Sequence, residues 1–413
     1  MDSAISAKKI VLGLQMLFVA FGALVLVPLL TGMDPSIALF TAGLGTLIFH
    51  FITKNKVPIF LASSFAFIAP IQIGIKEFGL AATLGGLTSA GIVYVVLSAL
   101  IKIRGTKVIE KYLPAIVTGP VIMVIGLKLA PVAVNMTKNF DGSAVVDVRA
   151  VIIALITLAS VIFVVIKGKG MFSLIPILIG VAVGYLVSII MGVVNFDALI
   201  NAPLFAIPWS EAAKHGAFEF PVFDIRAILF ILPVAIAPAI EHVGDIIAVS
   251  SVTGKDYVED PGLHRTMLGD GVATSIASFL GGPPNTTYSE VTGAVALLKN
   301  FDPLLMRIAA VFAILFAFLS KIGALLKTIP QPVMGGVMVL LFGMIAAIGI
   351  SSLVKNKTDF SNPRNLVIVA VILVFGIGDM SLGFGEFRLA GIGLAGIVGV
   401  LLNIFLPQTN QEN

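Results

Sequence analysis

Apolar residues in this chain come in continuous runs rather than in short alternating segments. Fourteen runs can be marked, near residues 11–30, 36–53, 57–72, 80–101, 113–130, 149–166, 171–194, 226–250, 263–282, 284–298, 303–320, 331–350, 364–378 and 389–406. Most approach the ~20 residues that a helix needs to cross a bilayer, and they hold few charges. Lipid admits only helices or closed barrels, and unbroken runs predict helices. The third and tenth runs are short for complete spans and hold the most polar residues. The stretch that leads into and opens the tenth is "GGPPNTTYSEVTG", residues 281–293, with two prolines, a cluster of hydroxyls, one amide and a single carboxylate, Glu290. Such a stretch predicts a broken helix.

Composition sharpens this picture. The chain of 413 residues is 58% hydrophobic and 12% charged, against roughly 25% charged in soluble domains. Its mean hydropathy is +1.09. Cysteine is absent, which excludes disulfides, thiol catalysis and cysteine-ligated metal or iron–sulfur centres. The net charge of +4 is small and lies in loops, so it speaks for topology and not for nucleic acid. With the N-terminus in the cytoplasm, about 17 of the 26 Lys and Arg residues fall on that side, among them Lys54, Lys56, Lys102, Arg104, Lys355 and Lys357. Both termini are therefore expected inside. The first run continues to Leu30 without a cleavage site and is expected to be a retained helix. Residues 195–225 are expected to form an outer loop, with Trp209 an interface anchor.

Two short matches suggest that the chain is built twice. Residues 114–121, "PAIVTGPV", align with residues 330–337, "PQPVMGGV", through Pro114/Pro330, Val117/Val333, Gly119/Gly335 and Val121/Val337. "GLGTLIFHF" from Gly43 resembles "GDGVATSIASF" from Gly269 at a similar offset. Two halves of seven spans each would enter the membrane from opposite sides, an inverted repeat. In transporters of this design the substrate site lies near the midplane at broken helices, here the third and tenth segments.

Few ionisable residues fall inside the spans. Glu241 and Asp245 in "APAIEHVGDII" share a helix face at i and i+4, Asp270 follows, and Glu290 comes from the broken tenth segment. An acid in a bilayer is costly enough to mark a functional site. Carboxylates beside backbone N–H groups suit a neutral, planar imide or lactam and suit an anion poorly. The matching stretch of the first half, "LASSFAFIAP", offers Ser63 and Ser64 for close approach and Phe65 and Phe67 as aromatic faces for a flat heterocycle. Burial disfavours the charged form of a carboxyl, so Glu241 is the expected carrier of a coupling proton, with Asp245 sharing it. No metal or cofactor is expected beyond the proton. His242 is expected to be packed, and His50, His215 and His264 are given no chemical role.

Six motifs in order, "FGALVLVPLL", "SSFAFIAP", "AIEHVGD", "DPGLHRTM", "PNTTYSEVTG" and "IPQPVMGGV", closely resemble the nucleobase–ascorbate transporter family, nearest to its bacterial uracil permease branch. The resemblance implies an all-α polytopic protein of fourteen transmembrane segments in a seven-plus-seven inverted repeat. It implies a core domain (residues 1–110 and 226–325), a gate domain (111–195 and 326–413) and an outer loop at 196–225. It also implies proton-coupled import of uracil or a related nucleobase across the inner membrane, and a homodimer through the gate domains. Carried over by motif, the Glu241 and Glu290 carboxylates would bind the base, the backbones of Phe65 and Ser289 would donate to its carbonyls, and Ala23, Tyr288 and Phe342 would line the pocket. Two departures stand out. Asp245 replaces a common histidine, which bears on proton coupling, and Ser289 replaces a common glycine. The xanthine and urate pattern is absent after Glu290, which favours uracil over xanthine.

Two other classes fit the residues less well. "GIGD", ending at Asp379, matches an intramembrane aspartyl protease motif, but the preceding span holds no second aspartate. An anion carrier would share the architecture, yet paired acids repel anions.

Overall fold

The computed structural model describes residues 6–105, 111–141, 143, 145–170, 172–384 and 387–407, without the side chains at 174, 289, 384 and 387–389. It is dominated by helices. Among the described residues, seven are long and apolar enough to cross a membrane by length and composition: Ala7–Thr31, Pro35–Ile52, Leu80–Arg104, Ala115–Met136, Val148–Lys167, Ile225–Thr253 and Gln331–Lys355. Leu304–Ala317 and Ser320–Lys327 form a further apolar pair bent by 83°.

In chain order the first half comprises α1 (Ala7–Val19), α2 (Phe21–Thr31), α3 (Pro35–Ile52), strand β1 (Leu61–Ser63), α4 (Ile68–Phe78), α5 (Leu80–Arg104), α6 (Ala115–Met136), α7 (Val148–Lys167) and α8 (Pro176–Ile190). Two short helices follow in the connecting segment, α9 (Asp197–Asn201) and α10 (Pro208–Lys214). The second half runs α11 (Ile225–Ile231), α12 (Ile236–Thr253), α13 (Leu263–Phe279), strand β2 (Asn285–Thr287), α14 (Ser289–Leu298), α15 (Leu304–Ala317), α16 (Ser320–Lys327), α17 (Gln331–Lys355) and α18 (Pro363–Ile377). A hairpin, β3 (Ser381–Phe384) and β4 (Phe387–Ala390), then leads to α19 (Gly391–Phe405).

Two of the expected spans carry a local irregularity. The first pauses at Ala20, and the eighth tightens into a 3-10 turn at Leu232–Ala235 before α12 begins. Pro233 removes a backbone donor at the second of these places. Continuous apolar composition carries no sign of such breaks. The third segment runs on to Phe78, past the expected end at 72.

The repeat is visible in the packing. Both matched proline motifs start long helices, with Pro114 capping α6 and Pro330 capping α17. These two helices lie side by side. A Cβ on Gly119 would fall 2.9 Å from the Gly349 carbonyl, and one on Gly349 would fall 2.5 Å from the Gly119 carbonyl. Only hydrogen fits in this contact. Elsewhere the halves interlock crosswise: α13 packs on α5, and its counterpart α3 packs on α15. One group of helices is α1, α3, α5, α11, α13 and α15, and a second is α6, α7, α8, α17, α18 and α19.

The connecting segment is tied down. Trp209 Nε1 donates to the Leu280 carbonyl at 2.7 Å, and its ring meets Phe40 edge-on at 4.8 Å. Trp209 is thus a latch onto α3 and the end of α13. The outer faces stay greasy: on α7, Leu155, Phe163 and Ile166 are each more than half exposed, as expected of a lipid-facing helix.

Candidate functional site

The two broken segments meet. β1 pairs with β2 in antiparallel register, Leu61 opposite Thr287, Ala62 opposite Thr286 and Ser63 opposite Asn285. The ladder is extended by Ser64 N–H donating to the Pro284 carbonyl at 2.9 Å. Beyond the strands the chain turns into helices in opposite directions, through a 3-10 turn at Phe65–Phe67 into α4 and at Ser289 into α14. The first N–H groups of each helix lack intrahelical partners and carry the positive end of its dipole. Two such ends flank one point inside an apolar bundle.

Neighbouring helices fasten the strands through hydroxyls. Thr46 on α3 accepts from Leu61 N–H at 2.9 Å, while Thr274 on α13 donates to the Asn285 carbonyl at 2.6 Å. Asn285 also donates to the Thr41 carbonyl at 2.9 Å. Extended backbone inside a membrane protein requires such partners. This explains the concentration of Thr, Asn and Ser in so apolar a sequence.

The predicted aromatic residues gather around this crossing. The Phe65 ring lies 6.5 Å from Tyr288 and 6.1 Å from Phe342, the latter edge-on. The Tyr288 hydroxyl reaches the break in the first span: a Cβ on Gly22 would come within 3.2 Å of it, and Ala23 lies beside it. Ala23, Ser64 and Phe342 are buried. The side chain of Ser289 lies outside the described residues, and its backbone opens α14.

Glu290 stands in the first turn of α14, and Glu241 on α12, which packs against α14. Both are partly exposed. The carboxyl groups of Asp245, Glu290 and Asp270 all act on Glu241 electrostatically. Among the described residues, neither glutamate forms a salt bridge with lysine or arginine, and no group of three His, Asp or Glu residues could hold a metal ion. A cleft of about 170 Å³ opens beside Glu290, between Phe18 and Val19 of α1, Ile175–Ile177 at the start of α8, and Gly293 and Leu297 of α14.

Other contacts were not anticipated. Asp245 accepts a 2.7 Å hydrogen bond from Thr287 on β2, which ties α12 to the strand leading into Glu290. The i, i+4 spacing marked Asp245 but said nothing of its partner. His242, expected only to be packed, places Nδ1 2.9 Å from Asp270 Oδ2. Asp379 of the "GIGD" motif is paired with Lys128 of α6 at 2.6 Å, so a structural ion pair accounts for it. The residues at the start of α8 that wall the cleft are plain apolar side chains, and no sequence signal distinguished them.

Comparison with known proteins agrees with this geometry. Residues 7–383 match the profile of the Permease family, that of the xanthine and uracil permeases. Similar relatives include a "Probable uracil permease" of Pasteurella multocida, 54% identical over 98% of this chain and 95% of the relative. The uracil permease of Bacillus caldolyticus is 46% identical over 99% and 94%, and that of Escherichia coli K12 is 39% identical over 96% and 91%. Among solved structures, the transmembrane domain of a cyanobacterial bicarbonate transporter, BicA, aligns with a TM-score of 0.65 at 14% identity, covering 96% of this chain and 97% of that one. The murine anion transporter Slc26a9 in an inward-facing state aligns with the same TM-score at 13% identity, over 98% and 68%. At such identities only the inverted-repeat fold is shared. The chain is a multi-pass membrane transport protein, not an enzyme, and belongs to the permease family of nucleobase–ascorbate transporters.

Proposed function

We propose that this permease imports uracil together with a proton across the bacterial inner membrane by alternating access. The observation that carries the reading is the crossing of β1 and β2, which brings Phe65, Tyr288 and Phe342 together beside the helix bearing Glu290. Uracil is a flat, neutral imide. Its N–H groups would donate to the Glu241 and Glu290 carboxylates, and its carbonyls would accept from the backbone N–H groups of Phe65 and Ser289. The Phe65 ring would stack on the base, with Ser64, Ala23, Tyr288 and Phe342 closing the pocket. The names of the relatives support this substrate.

Proton coupling follows from the acids. Clustered carboxylates without a cation cannot all remain charged in an apolar interior. Glu241, shared with Asp245, would take a proton outside and release it with the base inside. The two helix groups would act as a core (1–110 and 226–325) and a gate (111–195 and 326–413), joined by the loop at 196–225. Phe65 and Phe342 would part as one moves against the other. With both termini cytoplasmic, the cleft beside Glu290 would face the cytoplasm. The resemblance further implies a homodimer through the gate domains, to be read from the mass of the protein in lipid nanodiscs.

The direct test of the substrate is equilibrium binding of labelled uracil to purified protein, with uracil, thymine and xanthine as competitors. Competition by uracil at the lowest concentration is expected. Preference for xanthine would transfer the same mechanism to another nucleobase, and displacement by bicarbonate alone would favour an anion carrier.

A further inference from the structure

Helix α12 completes the span that begins at Ile225, but not as a uniform helix. A 3-10 turn at Leu232–Ala235 tightens the backbone, Pro233 supplies no N–H donor there, and Pro238 follows in the first turn of α12. Where a helix is locally weakened in this way it can bend, so side-chain contacts bear on where its face points. Two contacts flank Glu241. Asp245 accepts from Thr287 on β2, and His242 meets Asp270 on α13.

The second contact is fully enclosed, with His242 and Asp270 both at 0% exposure. Its protonation can be counted. The single hydroxyl proton of Thr266 goes to the Leu263 carbonyl at 3.0 Å. With its proton so placed, the Thr266 oxygen, 3.0 Å from His242 Nε2, is positioned to accept from a protonated Nε2. Nδ1 and both Asp270 oxygens have no hydrogen-bond partner elsewhere among the described residues, and two bare acceptors 2.9 Å apart in a dry interior would be costly, so one further proton belongs to the pair, on the ring or on the carboxyl. With that proton the pair is neutral overall. The Phe49 ring approaches His242 edge-on at 6.5 Å. Tyr94 on α5 and Glu241 are the other ionisable groups within electrostatic reach of Asp270. Neither member of the pair lines the cleft.

We propose that Asp270 and His242 are positioning residues for Glu241. Their shared proton pins α12 to α13 and aims the preceding side chain at the base, while the pair itself neither touches substrate nor carries the transported proton. This rests on the reading of Glu241 as a base-binding acid.

The test is uracil affinity of purified variants, with the melting temperature of the unliganded protein measured in parallel. Asp270→Ala and His242→Ala are each expected to weaken binding ~10-fold or more, and the double variant scarcely further, because partners in one contact are not additive. Asp270→Asn, whose amide donates to Nδ1 in place of the shared proton, is expected to bind within about threefold of wild type and to retain protonophore-sensitive accumulation in proteoliposomes. If the alanine variants do not fold, His242→Asn, which keeps an amide facing Asp270, should bind more tightly than His242→Gln, which keeps one facing Thr266. Wild-type affinity in the alanine variants, additive losses, or equal affinity of the Asn and Gln variants would overturn the proposal. So would an Asp270→Asn protein that binds normally but no longer accumulates uracil, since Asp270 would then carry the proton. Binding by the wild type in the same assay decides the substrate, and the ratio of variant to wild type decides the pair.

Discussion

The two broken segments share one backbone device but differ in chemistry. Each is a three-residue strand turning into a helix, and each is held by a threonine from a neighbouring helix, Thr46 for β1 and Thr274 for β2. After β1 come Ser64 and Phe65, a small side chain and an aromatic face. After β2 come Tyr288 and Glu290, with Thr287 bonded to Asp245. In the proposed site the first half would supply shape and the second half polarity. Duplication accounts for the common backbone, and the proposed substrate, with one flat face and several polar edges, would account for the divergence of the two copies.

Loss of the acid should break this asymmetry most severely. Glu290→Ala is expected to lower uracil affinity ~10- to 100-fold, since a hydrogen bond from a neutral donor to a charged group contributes about 1.5–3 kcal/mol. Ser64→Ala, at the corresponding place in the first half, should change it less than about threefold. Both are read by radioligand binding to protein that remains monodisperse in detergent. Comparable losses in the two variants would erase the proposed division of labour.

The aromatic face comes next. Phe65→Ala is expected to weaken binding ~10-fold, in line with about 0.5–1.5 kcal/mol for an aromatic pair beyond its buried area. Phe65→Tyr should remain near wild type in the same assay. An unaffected Phe65→Ala protein would remove stacking from the account.

A smaller effect is expected from the hydroxyl that links the acid-bearing parts. Thr287→Val conserves shape and deletes one donor to Asp245, the loss of a hydrogen bond that contributes about 1 kcal/mol. Affinity should fall severalfold, while the melting temperature falls no more than in Thr46→Val or Thr274→Val. Those two variants should destabilise the unliganded protein about equally, by ~1 kcal/mol each, because they clamp equivalent strands. A large difference between them in thermal melts would argue against equivalent roles.

The least effect lies away from the crossing. Asp224 caps α11, and its carboxyl is lowered to about 2, chiefly by the hydrogen bond from the Arg226 side chain and then by the Arg226 backbone N–H. A depressed carboxyl stabilises above its unfolded value, near ~3.9, and that contribution is lost as the pH falls from there towards 2. Amide exchange at the start of α11 should therefore quicken between about pH 4 and pH 2. Asp224→Asn, which can still cap the helix, should flatten that dependence.

Much of this arrangement was legible in the sequence because lipid imposes severe rules. Unbroken apolar runs located the helices, and the prolines at 114 and 330 marked equivalent helix starts. The polar cluster at 285–290 marked extended backbone that had to be satisfied inside the bundle. Glu241, Asp245 and Glu290 stood out because charge is scarce there. What escaped was whatever depends on which side chain meets which. Nothing local in "AIEHVGD" distinguishes a histidine packed against apolar neighbours from one facing Asp270, 28 positions away. The breaks at Ala20 and Leu232 were hidden in uniformly apolar runs. The cleft wall at Ile175–Ile177 has no composition of its own. Trp209 was expected at the lipid interface, and its hydrogen bond to Leu280 arises only when the loop folds back.

The central claim is that Glu290 beside the strand crossing serves proton-driven uracil uptake. It is tested most directly by labelled uracil uptake into proteoliposomes under an inward proton gradient, for wild type and Glu290→Ala, with and without a protonophore. The expected result is accumulation by wild type that the protonophore collapses, and none by the variant. Uptake that ignores the protonophore, or persists in Glu290→Ala, would contradict the account.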